Sequence, residues 1–377
     1  MLQSWQRRFL HSRRMKLLPK ILLVVVALAT IASACSSSDA AEPSTTTFAE
    51  LTTSSEATTT SSTTTTSTTT TTTTTTIAPG IAPTINGLPG ADGTGDRRVV
   101  GVKIDNHPNA RPQSGLEIAD AAYEIPVEGG LTRFIALFQQ SDSEYVGPNR
   151  SGRPTDSRVM KALGGPLQIS GAQPWVQNVF RADGTLVIYD NGVTTYRMGH
   201  RSAPHNLYSS TSAIRTFADD RGWSDDAPPV LFVYGDEPTA SVESAESITF
   251  DWSDAPDVVW EWNGEQYLRF NGTSPHEWVD EDGETGQVAF DTLVVIYADR
   301  YTAKDPSGQG SSVPAMTTTG SGEALVFYGG GVVEATWERE TIDDMIRVVD
   351  TAGDDLVLPP GRVWINIFPN GRTIAWE

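Results

Sequence analysis

Between Pro43 and about Ala82 the chain is almost entirely threonine and serine, with an unbroken threonine run from Thr68 to Thr76. Such a tract has next to nothing apolar to bury, so no core forms there. Folding is confined to the residues after about Gly87. A Ser/Thr tract flanked by proline has the composition of an O-glycosylated stalk. Some forty residues of this kind span on the order of 35 Å as a coil and up to roughly 130 Å when stretched. Residues 35–86 are therefore expected to be a disordered tether, in the simplest reading a passive spacer.

The start of the chain explains what a tether would be for. Basic residues from Arg7 to Lys20 precede an apolar run, Ile21 to Ala29, and small residues, Ala32-Ser33-Ala34, precede Cys35. A basic, then apolar, then small-residue order is that of a secretory signal peptide, here residues 1–34, starting at Met1 or Met15. The apolar run is too short to cross a hydrocarbon core of roughly 30 Å, although an uncleaved anchor is the alternative. The junction is similar to a bacterial lipobox, with Ala32 where leucine is usual. That resemblance implies acylation of Cys35, palmitate included. It also implies that the lipid bilayer is a partner, with the protein on the extracytoplasmic face of the cell membrane.

Charge narrows the other partners. The chain carries a net charge of −20. Without the six basic residues of the leader, 21 cationic side chains face 47 anionic ones, a net charge of −26. So acidic a protein is unsuited to nucleic acid or to an electrostatic grip on an anionic membrane. Cys35 is the only cysteine, so stability must come from a packed core rather than from an internal disulfide.

From Gly87 the patterning is that of a folded protein. Val99–Ile104, Thr132–Phe138, Leu167–Ser170, Leu186–Tyr189 and Val230–Tyr234 read as strands. Leu116–Tyr123, Asp156–Leu163, Trp175–Phe180 and Ser209–Arg221 read as helices. After about Ser244 nearly everything reads as strand, with Gly or Asn turns between strands: Val258–Trp260, Gln266–Phe270, Thr292–Tyr297, Glu323–Tyr328, Val332–Trp337, Arg347–Val349 and Arg362–Phe368. The expected fold class is α+β. An N-terminal α/β-type region spans residues 87–240, and a mostly β region spans residues 245–377.

Five polar clusters punctuate the first region: Ile104-Asp-Asn-His107, Arg111-Pro-Gln-Ser-Gly-Leu116, Val127-Glu-Gly-Gly-Leu-Thr-Arg-Phe134, Val146-Gly-Pro-Asn-Arg-Ser-Gly-Arg-Pro154 and Arg201-Ser-Ala-Pro-His-Asn-Leu-Tyr208. Together with Gly361-Arg-Val-Trp-Ile365 and Thr336-Trp337, they closely resemble the YerB-like lipoprotein family from about Arg97 to the C-terminus. The resemblance implies a two-part domain of unknown function. It supplies no activity, and the cofactor is left unknown.

Read as chemistry, the clusters suggest an anion site. Arg150 and Arg153 sit among Gly and Pro, where two guanidinium forks can grip a phosphate or carboxylate. Arg133 and Arg158 are candidates to join them. The alternative is ion pairing with Asp105, Asp120, Glu124 or Glu128, and 22 arginines against 5 lysines also fit a compositional bias. Arg201, His205 and Asn206 complete the ligand-binding candidates with Asp105, Asp120 and Glu128. His205 can serve as a base near neutral pH, or it can simply fix a loop. No zinc-type spacing occurs, so no metal is expected. Ser114 and Ser151 lie in no nucleophile elbow, so no catalytic residue is assigned. The tryptophans of the second region suit packing better than sugar stacking.

Three functions remain open. One is a lipoprotein binding an anionic wall polymer or an envelope protein. Another is an envelope-polymer transferase, for which the order of Asp105, Asp120, Arg150 and Arg153 is loosely similar to LytR-CpsA-Psr proteins. The third is a solute receptor.

Overall fold

The computed structural model describes residues 81–254 and 257–377. The leader, Cys35 and most of the stalk lie outside them.

An eleven-stranded sheet runs through both halves of the described sequence. Its first-half strands are β1 (Val100–Asp105), β2 (Ala121–Pro126), β3 (Thr132–Phe138), β4 (Leu167–Gln168) and β5 (Val187–Ile188). The second half contributes first to a smaller sheet, with β6 (Ser247–Phe250), β7 (Val258–Trp262) and β8 (Tyr267–Asn271). It then adds β9 (Thr292–Ala298), β10 (Gly320–Tyr328), β11 (Gly331–Arg339), β12 (Arg347–Val349) and β13 (Val363–Pro369) to the large sheet, and β14 (Ile374–Trp376) to the small one. The large-sheet order is β12-β11-β10-β9-β13-β2-β3-β1-β4-β5, with Glu243–Ser244 beside β11. The seam between the halves is the parallel pair β2–β13, with Ala121 opposite Val363 and Glu124 opposite Asn366.

Side chains alternate across this sheet, as strand geometry requires. Val100, Val102 and Ile104 of β1, Phe134, Ala136 and Phe138 of β3, and Trp364 and Phe368 of β13 point to one core. The small sheet and helix α3 (Thr211–Asp220) close that core. Ile135 and Leu137, Tyr123 and Ile125, and Val363, Ile365 and Ile367 point to the other, under α1 (Pro154–Lys161) and α2 (Pro174–Asp183). Both cores draw on both halves of the chain.

The helices begin and end where local chemistry directs. Pro154 opens α1, and Asp156 accepts the Arg153 N–H at 2.8 Å. Gly184, at φ 69°, ends α2. The Ser210 hydroxyl accepts the Ala213 N–H at 3.0 Å and starts α3.

One expected helix is absent. Leu116–Tyr123 is not helical: turns occupy the residues after Gly115, and β2 begins at Ala121. The cause is burial on both faces. All six β2 residues are buried between β3 and β13, so the strand carries no polar alternation to betray it. The family of α+β folds is otherwise as the sequence implies, mixed in the first half and mostly strand in the second. Trp252, Trp260, Trp337 and Trp364 are buried in the cores.

Candidate functional site: two faces of one strand end

The polar clusters meet where β1 ends and β3 begins. Asp105 is the register partner of Arg133 there. Strand parity then divides neighbouring residues between the two faces. Asn106 and Thr132 enter the core beneath the small sheet, while Asp105 and Arg133 face the α1 side.

On the small-sheet face the polar groups close into a ring. Asn106 Nδ2 donates to Thr132 Oγ1 at 2.8 Å, and Thr132 Oγ1 donates to Glu124 Oε1 at 2.6 Å. Arg269 Nη2 donates to the same Glu124 oxygen at 2.8 Å, and Arg269 Nη1 meets His276 Nδ1. His276 Nε2 bonds Gln113 Oε1 at 2.7 Å, and Gln113 Nε2 returns to Asn106 Oδ1 at 3.3 Å. All six residues are buried. Trp364 Nε1 adds a bond to Glu124 Oε2 at 3.0 Å. Phe134, Trp364 and Trp260 surround the Arg269 guanidinium at 5.3, 5.5 and 5.8 Å, a favourable setting for a buried cation. Three residues of the sequence clusters, Asn106, Gln113 and Thr132, are thus bound to the second half of the chain through Arg269 and His276. Sequence reading missed both partners, because an arginine facing inward on a strand looks like any other polar position.

The ring fixes the proton on His276. Gln113 Nε2 is already committed as a donor to Asp105 O and Asn106 Oδ1, so its oxygen must accept from His276 Nε2. His276 Nδ1 then accepts from Arg269, and the imidazole is neutral. Burial, reinforced by the Arg269 and Arg111 charges, holds His276 well below the usual histidine range. The pH dependence follows. Below about pH 6.5 an unfolded histidine takes up a proton that the folded one refuses. Stability from this residue is therefore full above that pH and falls with acid by up to about 1.4 kcal/mol per unit. Glu117, whose carboxyl burial raises to about 7, acts with the opposite sign. The difference between wild type and His276→Gln isolates the effect. Thermal melts should show a shallower acid loss between pH 6.5 and 5 in the variant, and equal slopes would contradict this assignment.

The α1 face carries the charged candidates. Asp105 Oδ2 accepts from His205 Nδ1 at 2.7 Å, which leaves His205 Nε2 unbonded among the described residues. His107, whose backbone N–H bonds Asp105 Oδ1 at 3.1 Å, stacks on His205 at 4.9 Å. Arg150 Nε lies 3.1 Å from Asp105 Oδ2, an ion pair outside hydrogen-bond geometry. Arg153 forms a two-point pair with Glu128, both contacts 2.8 Å. Burial alone would raise the Glu128 carboxyl, but the bond and charge of Arg153 outweigh it and hold the carboxyl below its ordinary value. Arg133 donates to Ser151 O at 2.8 Å. Burial, then the charge of Arg153, lowers Arg133 to about 10, against the opposing charges of Asp105 and Glu128. Beneath them Lys103 and Asp156 form a fully buried pair at 2.7 Å, and burial lowers Lys103 to about 8.

Asp105, Glu128, Arg133, Arg150, Arg153 and His205 are therefore brought to one strand end. Four other candidates are placed differently. Asp120 lies at the opposite end of the strands, about 15 Å away by strand rise, where it accepts from the backbone N–H groups of Gln139, Gln140 and Ser141. Burial raises its carboxyl. Arg201 is committed to the carbonyls of Ala110 and Pro112. Asn206 accepts from Arg197. Arg158 reaches Tyr301 Oη at 3.0 Å. Lys103 was legible in principle, as a lysine in the middle of an apolar strand.

Comparison with known proteins places this arrangement. The "Protein of unknown function (DUF3048)" N-terminal domain matches residues 85–224, and its C-terminal domain matches residues 247–365. The Bacillus subtilis protein YerB, named as a candidate lipoprotein, is 30% identical over 281 residues, which is 73% of this chain and 82% of that protein. The crystal structure of Bacillus subtilis YerB superposes with a TM-score of 0.67 at 26% identity, covering 78% of this chain and 99% of that one. No helix among the described residues is long and apolar enough to cross a membrane. The chain belongs to the DUF3048 family, the family of YerB.

Proposed function

We propose that the protein is an envelope lipoprotein, anchored through acylated Cys35, whose α1 face binds a phosphate or carboxylate group of an envelope component. The reading is carried by Arg150. Its Nε faces Asp105, its side chain is 24% exposed, and its two terminal nitrogens have no acceptor among the described residues. Arg133 offers further donors beside it, and His205 shares the Asp105 carboxylate with Arg150. A guanidinium with an unused fork is well suited to a two-point grip on an oxyanion. A receptor that closes by hinging its two halves fits less well, because the halves share the hydrogen-bonded seam β2–β13.

Calorimetric titration with pyrophosphate tests the reading. Wild type should bind, and Arg150→Gln should bind roughly ten- to a hundredfold more weakly with an unchanged circular dichroism spectrum. Absence of binding to wild type, or equal binding by the variant, would overturn it. The Asp105–His205 pair favours a second reading, hydrolysis of a phosphoanhydride, in which a water deprotonated by His205 Nε2 attacks one phosphorus and the bridging P–O bond breaks to release the other phosphate. Release of orthophosphate in the same titration would favour it.

A further inference from the structure

We propose that the free edge of β14 is a docking site for an extended, basic segment of a partner protein, which joins the small sheet there as an added strand. The proposal does not depend on the anion site. β14 is the last strand of the small sheet, and it pairs on one side only, with β6. Glu377 exchanges both backbone bonds with Ser247, at 3.0 and 3.1 Å, and the Asp251 N–H bonds Thr373 O at 3.1 Å. In an antiparallel pair such bonded partners alternate with unbonded ones. The N–H and C=O groups of Ile374 and Trp376 therefore point away from β6, and they have no partner among the described residues. Two donors and two acceptors, two residues apart, match the backbone of one further strand.

A groove of about 480 Å³ runs along this edge. Its floor is the core-side face of β9, β10 and β11. Leu325 is the register partner of both Val295 and Glu334, so Tyr297, Glu323 and Glu334 share its face. Ile374 and Trp376 form the wall. Glu323 and Glu334 are exposed, so the small sheet leaves this part of the floor uncovered.

Charge selects the segment. Glu323 and Glu334 form no ion pair among the described residues. Burial, then the Glu323 charge, raises the Tyr297 phenol to about 12, which sets that carboxylate beside the aromatic floor. Arg372 is the groove's own cation, and Asp251 and Asp254 hold it. An added strand directs alternate side chains onto the floor. A lysine or arginine there lays its alkyl stem across Tyr297 and Leu325 and carries its charge to Glu323 or Glu334. An acidic side chain would meet like charge.

Calorimetric titration with the peptide acetyl-Thr-Lys-Thr-Lys-Thr-Lys-amide tests the site. Wild type should bind it, and should bind the counterpart with glutamate in place of lysine at least roughly tenfold more weakly. Glu323→Gln/Glu334→Gln should weaken binding of the lysine peptide roughly tenfold, with a melting temperature close to that of wild type. Methylating the backbone nitrogens of alternate residues separates strand addition from charge attraction alone. One alternate set of N–H groups faces β14 and the other faces away. Methylation of one set should abolish binding, and methylation of the other should preserve it. Equal effects of the two sets, equal binding of the glutamate peptide, full binding by the double variant, or no binding by wild type would overturn the proposal.

Discussion

Expressed separately, residues 81–244 and residues 245–377 should each fail to fold. The first fragment loses β13, leaving β2 as a bare, apolar edge, and loses Arg269, leaving Glu124 buried without its cation. The second loses β2, the neighbour of its parallel strand β13. Each core is assembled from both halves, so neither fragment can bury the surface that offsets its chain entropy. Thermal melts of each fragment should show no cooperative transition, whereas the joined chain should melt as one unit. A sharp transition with dispersed amide resonances in either fragment would show that the seam is only an interface between independent domains.

Glu124→Ala should be the most damaging point substitution on the small-sheet face. It leaves the Arg269 guanidinium, the Thr132 hydroxyl and the Trp364 N–H without their acceptor. Removing one partner of a buried ion pair costs about 3–5 kcal/mol, a large share of an ordinary total stability of about 5–15 kcal/mol. The melting temperature should fall on the order of 10 °C. Glu124→Leu/Arg269→Met, which removes both charges and keeps apolar volume, should recover much of the loss. A cost below about 1 kcal/mol for Glu124→Ala would mean that the ring adds little to stability.

Much of this fold is legible in the sequence where β-branched and aromatic residues are dense, as at Thr132–Phe138 and Thr292–Ala298. It fails at Ala121–Pro126, which opens on two alanines and lacks a dense β-branched run, and at Ser247–Phe250 and Ile374–Trp376, which are short. The candidate site is legible as a set of clusters, but their meaning is not. Asp105 and Asn106 are adjacent in sequence and serve opposite faces, as do Thr132 and Arg133. Only the β1–β3 register separates the member of each pair that faces the small-sheet core from the one that faces the α1 side. Arg269 and His276 lie more than a hundred residues from the groups they complete, with no local signal to mark them.

That division of labour is tested most directly on two adjacent residues. Pyrophosphate titration and thermal melting would be run on Thr132→Val and Arg133→Gln. The structure predicts that Thr132→Val lowers the melting temperature and keeps the affinity, while Arg133→Gln loses affinity with a melting temperature close to that of wild type. If Arg133→Gln bound pyrophosphate as tightly as the wild type, the α1 face would not be an anion site.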